Sequence, residues 1–440
     1  MNIGHIIRLS IMMFLQYFIW GAWYVSVTGF SKASQMSAVD VAIYTVGPIA
    51  AVIAPFFLGM IADRFFASER VLGVLHLLGG VLLIAAPAFA QPFDLPPPSP
   101  DSSLFYKLVI HDLPAYAQPF SVVLLLHMLC YMPTLALTAS VSFRNLQNQE
   151  KEFPIVRVLG TIGWIVGNIS VSLLAGKDQS SSQFYLAGGA AILLGLYSFT
   201  LPHTPPVSKG QTASLGQILG LDSLRLFRSP SYSIFILSSF LICIPLAGYY
   251  AAARTYVDAS HVLVNGSATF SMAFGQISEV FFMLVMPLCF ARLGVKWMLV
   301  AGMAAWVVRY GLFSAAADEQ IRWMILLGII LHGICYDFFF VTGMIYVDKK
   351  APAAIRNQAQ GFLVLITQGL GLGVGAKVFM AHVLMHTAAD GSVDWKTVWL
   401  YPAEFAAVVM IFFALFFRND VRESVVEKMP GPANEAALSA

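Results

Sequence analysis

Apolar stretches of about twenty residues recur along almost the whole chain, the length a helix needs to cross a hydrocarbon core of roughly 30 Å. Unpaired backbone amides are too costly in lipid for anything but helices or closed barrels, and the runs are too long for barrel strands. Spans are predicted at 8–30, 41–62, 71–90, 118–141, 154–175, 184–202, 231–253, 267–290, 297–315, 322–346, 357–384 and 397–417. The expected fold is therefore an all-α integral membrane protein of twelve transmembrane helices embedded in a lipid bilayer. Composition agrees: 58% of the 440 residues are hydrophobic, 11% are charged, and the mean hydropathy is +0.76, more apolar surface than a soluble domain could bury.

Basic residues of the loops and span ends divide sixteen to six between alternate sides. The richer set includes Arg8, Arg64, Arg70, Arg144, Lys349, Lys350 and Arg418, and positive-inside bias puts that side, with both termini, in the cytoplasm. The net charge of +2 is thus a topology signal and gives no reason to expect nucleic-acid binding. The first span is too long for a signal peptide and is read as a retained helix. Cys130, Cys243, Cys289 and Cys335 lie in apolar spans as packing residues, and no metal, nucleophile or phosphate-loop pattern occurs, so neither a cofactor nor enzymatic activity is expected.

The polar segment 202–230 divides the spans six and six, as in transporters built from paired repeats. The expected organisation is a six-helix bundle at 1–202, a cytoplasmic linker at 203–230, a second bundle at 231–417 and a tail at 418–440. Within the linker, "SLGQILGLDSLRLF" has amphipathic helical spacing. The proline-rich segment 91–120 reads as an extended outer loop. After the second span, "GMIADRFFASER" resembles the loop signature of the major facilitator superfamily, with Gly59, Asp63, Arg64 and Arg70; "ARLGVKW" at 291–297 is a fainter echo around Gly294.

Charges inside spans are functional candidates because each costs several kcal/mol unless paired or hydrated. Six occur: Arg157, Glu279, Arg309, Asp337, Lys377 and Glu404. Arg309 and Lys377 stand near span ends, where long side chains are expected to reach the interface. Arg157 shares a helical face with Thr161 and Trp164 at i+4 and i+7, a cation, a hydroxyl and an indole that suit a flat polar solute. Gln276 and Glu279 share a face of the eighth span, and Gln16 lines up with Trp20 and Trp23 in the first. The tenth span carries His332, Tyr336 and, about 100° further round, Asp337. An apolar setting favours the neutral form of such a carboxylate and a nearby cation favours the charged form, opposing pulls that suit a proton site. "GLGLGVG" at 369–375 holds two overlapping small-residue pairs for close helix packing or hinging.

Taken together, "FLQYFIWGAW", "YMPTLAL", "FPIVRVLGTIGW", "LGLD", "QISE", "YDFF" and "DWKTVWL" occur in order through both halves. In these stretches the chain resembles the nucleoside:proton symporter family, the branch of the major facilitator superfamily that includes bacterial nucleoside permeases. The resemblance implies a substrate site at Arg157, Thr161, Trp164, Gln276, Glu279, Tyr336 and Asp337, with Asp337 or Glu279 coupling the proton. His332, Tyr250 and Gln16 join as candidates from their position. The chain departs from the pattern in the seventh span, where "CIPLAGYYAAARTY" offers Ala247 and Tyr250 in place of amides, and at His332, where an aromatic hydroxyl is expected. The expected function is proton-coupled nucleoside import across the bacterial inner membrane by a monomer; the alternative is a carrier of the same fold for another polar solute, a sugar or modified nucleoside, with or without coupling to protons.

Overall fold

The computed structural model describes residues 3–421 apart from 25, 58–64, 97–98, 100–101, 104, 107–109, 175–179, 207–220, 263, 265–267 and 389. Gly59, Asp63 and Arg64 of the loop signature, and residues 207–220 of the linker with the first half of its amphipathic stretch, lie outside these residues.

The described chain is helical, with a lone β-bridge between Thr387 and Val393. In chain order the first six long helices are α1 (Ile3–Tyr24), α2 (Asp40–Phe57), α3 (Ser68–Ala85), α4 (Pro119–Asn145), α5 (Gln149–Leu174) and α6 (Ser182–Ser198). After Leu221–Arg228, a 3-10 turn, comes α7 (Pro230–Ala259). The stretch Ala268–Ala316 breaks at Gly294, whose φ of 62° and ψ of −179° a side chain would strain, so it is two helices, α8 (268–293) and α9 (295–316). The last three are α10 (Arg322–Lys350), α11 (Ala353–Met385) and α12 (Trp395–Phe416). Nine stretches among the described residues are long and apolar enough to span a membrane; division at Gly294 and the shorter α2 and α6 make up the twelve expected.

Local chemistry sets the ends. Pro119 and Pro230 open α4 and α7 where a missing N–H costs nothing, Ser229 accepts from the Tyr232 amide, and Asp394 caps α12 by accepting from the Thr397 amide at 3.1 Å. Prolines also lie inside α4, α5, α7, α8 and α12, which helices in a membrane tolerate better than soluble ones.

Helices α1–α6 pack chiefly on one another, as do α7–α12, and the two sets meet along α2/α11, α4/α11 and α5/α8. Small residues bring the site-bearing helices together. A Cβ at Gly21 would strike the Trp164 backbone and one at Gly163 the Phe14 carbonyl, so α1 and α5 touch backbone to backbone. Gly333 presses on Ser278 and donates its amide to the Ser278 hydroxyl at 3.1 Å, which seats α10 on α8. The glycine-rich run of α11 works the same way: Gly369 and Gly373 face Val52 and Pro48 of α2, while Gly371 and Gly375 face Cys243 and Ile244 of α7.

One face of the bundle is tied across the two sets by a Lys349–Glu150 ion pair and by Gln149 donating to Asp348 at 2.6 Å. At the other face Lys377 pairs with Asp112 of the 91–120 segment at 3.3 Å. That segment is anchored further by Phe93 donating to the Gln35 carbonyl at 2.9 Å. Arg309 corrects an expectation: it does not reach the interface but is fully buried, its guanidinium carbon 3.3 Å from the centre of the Tyr249 ring. An aromatic face and a ring nitrogen inside the second set supply what the interface was expected to supply.

Candidate functional site

The α1/α5 contact carries Arg157 into the seam between the two sets. Its guanidinium carbon lies 4.1 Å from the Tyr17 ring centre and 6.0 Å from that of Tyr336, so the cation is sandwiched between α1 and α10. Nη1 approaches the Thr161 hydroxyl at 3.5 Å, and that hydroxyl donates to Glu279 Oε1 at 2.5 Å. A chain of polar groups therefore crosses from α5 to α8, with Arg157, Thr161 and Glu279 all buried. No carboxylate oxygen comes within ion-pair distance of Arg157 among the described residues, so the hydroxyl mediates between the two charges.

Asp337 lies on the same seam with no solvent exposure, and its electrostatic neighbours are Glu279 and Arg157. Neither of its oxygens has a hydrogen-bond partner among the described residues. Local backbone explains the placement: α10 widens into a π-turn over Asp337–Val341, and α11 does so over Leu365–Gly371. Such turns collect at functional sites because they rotate one side chain out of helical register. A buried carboxylate is costly without a donor, a cation or a proton, and of the two only Glu279 has a donor among the described residues, in Thr161.

A narrow cleft opens beside this chain, lined by Tyr17, Trp20, Tyr336, Phe340, Gln360 and Thr367 with several aliphatic neighbours. Trp20 meets Trp164 edge to face at 5.5 Å, and Trp164 also leans on Tyr24 at 6.3 Å, giving an aromatic wall on α1 and α5. On the α7 side Tyr250 has 54% of its surface accessible, although its neighbours are Tyr336, Glu279 and Tyr249, so it borders open space between helices. His332 stacks on Tyr249 at 5.3 Å and meets Tyr250 edge to face at 6.4 Å. Gln276, half-buried, stands one turn before Glu279.

The structure thus gathers Arg157, Thr161, Trp164, Glu279, Tyr336, Asp337, His332 and Tyr250 around one seam. Gln16 is not brought to it. That side chain is fully buried among α1, α3 and α4, its amide donating to Thr134 at 2.7 Å and its carbonyl bonded to His76 at 2.7 Å. Its neighbour Tyr17 faces the seam instead, one position round the helix. Sequence reasoning also passed over α11, whose amides and hydroxyl in "NQAQGFLVLITQG" were an available signal: Gln360, Thr367 and Gln368 line the cleft. No cluster of His, Cys, Asp or Glu among the described residues could hold a metal.

Comparison with known proteins points one way. The family model described as "Nucleoside H+ symporter" matches residues 1–95 and 108–422. The chain is 36% identical over 439 residues to the protein YegT of Escherichia coli (strain K12), covering 96% of each. The crystal structure of a mutant of the nucleoside transporter NupG superposes with a TM-score of 0.68 at 29% identity, over 94% of this chain and 100% of that one. The major facilitator superfamily proton:xylose symporter XylE aligns over 95% of this chain and 97% of its own with a TM-score of 0.65, at 13% identity, a likeness of fold alone.

Proposed function

The chain belongs to the nucleoside H+ symporter family, in the major facilitator fold, and from that premise we propose how its seam couples a nucleoside to a proton. It acts as a secondary transporter that imports nucleosides with protons, and it is not an enzyme. The observation that carries the mechanism is the Arg157–Thr161–Glu279 chain across α5 and α8 with the unpartnered Asp337 beside it.

Asp337 is the proton acceptor. With a proton bound it is compatible with a closed, dry seam; without one it requires either water, which holds the seam open, or the Arg157 guanidinium drawn onto it. The nucleoside supplies the other half of the switch: its base lies against the Trp20–Trp164 wall, and its hydroxyls compete with Thr161 for Glu279 and with Gln276 for the neighbouring space. Two forms bury no uncompensated Asp337 charge, the loaded carrier with its proton and the empty carrier in which Arg157 compensates the ionised carboxylate, and these forms exchange between outward and inward states. The six-helix sets 1–202 and 231–417 rock about the seam, the Lys/Arg-rich face with both termini is cytoplasmic, and the working unit is a monomer.

Reconstituted protein with an acidic exterior is expected to accumulate labelled nucleoside above the outside concentration, and nucleoside addition to a weakly buffered suspension is expected to make the medium more alkaline. Downhill uptake with no proton movement would leave an uncoupled carrier of the same fold; uptake of a sugar but no nucleoside would overturn the substrate.

A further inference from the structure

A buried arginine with no carboxylate partner among the described residues needs a reason. Arg309 has no solvent exposure, and neither its Nε nor its Nη2 has a hydrogen-bond partner among the described residues. Its charge is met by the Tyr249 face at 3.3 Å, and its Nη1 lies 3.1 Å from His332 Nδ1. A guanidinium has five donors, no acceptor and a proton it does not release inside proteins. The 3.1 Å contact is therefore a hydrogen bond in one sense only: Arg309 donates, and His332 Nδ1 accepts with its lone pair. The imidazole must then be neutral and carry its hydrogen on Nε2.

We propose that Arg309 is a positioning residue that locks His332 as a hydrogen-bond donor to the central space, so that this point of the site accepts a solute atom with a lone pair. Suitable atoms on a nucleoside are a ring carbonyl, an imine-type ring nitrogen or a hydroxyl oxygen; an exocyclic amino group is refused. The inference rests on the proposed reading of the seam as the nucleoside site. His332 Nε2 has no protein partner among the described residues, and the rings beside it, Tyr250 and Tyr336, border the open space. A half-turn of the ring about χ2 would keep its stack on Tyr249 but would put a carbon in place of Nδ1 toward Arg309, so the hydrogen bond from Arg309 holds this edge in place. The ionisable groups around it are Arg309 from α9, Tyr249 and Tyr250 from α7, Tyr336 and Cys335 from its own helix, and Glu279 from α8 beyond Tyr250.

The test is nitrogen NMR of histidine-labelled protein in liposomes, with His332→Gln identifying the signal. The wild type is expected to show a neutral, Nε2-protonated ring throughout the interval around the ordinary imidazole value of about 6.5. Arg309→Gln, whose amide can face either way, is expected to release the ring to mix tautomers and titrate. Its nucleoside KM is expected to rise about tenfold and to become pH-dependent with kcat little changed, since one hydrogen bond to the solute is lost. Arg309→Lys, still a pure donor, is expected to restore both signatures. An Nδ1-protonated or charged ring in the wild type would overturn the proposal, as would a KM that Arg309→Gln leaves unchanged. The ring's state is read without any transport, so absence of nucleoside uptake would count against the function and not against the lock.

Discussion

At the scale of single residues, the seam separates two carboxylates that look alike in sequence. Among the described residues Glu279 has a donor and Asp337 has none. Asp337→Asn is therefore expected to abolish accumulation against a gradient while leaving nucleoside exchange and binding within a few-fold of wild type; uphill, proton-driven uptake at the normal rate would refute the assignment. Thr161→Val removes the hydroxyl that bridges Arg157 to Glu279 and is expected to weaken nucleoside binding and to cost about 1–3 kcal/mol of stability, the usual penalty for a buried polar group left unsatisfied. Thermal unfolding in detergent with and without nucleoside separates the two effects. The charges were visible in the sequence because a charge in an apolar run stands out. Their company was not: Tyr17 under Arg157 and Tyr249 under Arg309 are aromatic residues among many, and only the crossing of helices puts them beneath a cation.

At the scale of helices, close backbone contacts aim the site. Gly163→Val would drive a branched side chain into the Phe14 carbonyl and lever α5 off α1, at about 1–3 kcal/mol or more for overpacking. The expected result is a steep loss of monodisperse protein on size-exclusion chromatography. Gly189→Ala on α6 is the matched control, since a Cβ there meets nothing within 4 Å. The 91–120 segment makes a different prediction. Both ring nitrogens of His111 face acceptors, the Pro96 carbonyl at 2.8 Å and Asp112 at 2.9 Å, and these contacts raise its pKa, the carbonyl bond most. A raised pKa means the anchoring is complete below the free imidazole value and is lost as pH rises through the shifted one. Protease cleavage of the segment in intact liposomes should accelerate on going from acidic to alkaline medium, and His111→Phe should remove that dependence. The π-turns that place Asp337 and widen α11 had no legible sign, because a one-residue change of register is settled by packing on the neighbours.

At the scale of the whole molecule, alternating access requires ties across the two sets that can break. Glu150–Lys349 and Gln149–Asp348 close one face. Lys349→Glu is expected to repel Glu150 and shift the population toward the state open at that face, read as faster labelling of a cysteine placed in the cleft. The double reversal Glu150→Lys with Lys349→Glu should restore the slow rate; failure of the reversal would mean the pair does not hold the face shut.

The number, length and order of the helices, and the presence of a seam carrying buried charge, were determined by the sequence alone. Lipid leaves no alternative to a helix for a long apolar run, and no cheap place for a carboxylate except an internal one. What tertiary structure decided is which groups touch: that Gln16 is spent on His76 and Thr134, that Arg309 turns inward to a histidine, and that Asp337 has no donor among the described residues. Those outcomes depend on how each helix is rotated against its neighbours, which follows from glycine contacts, π-turns and side-chain packing summed over the bundle.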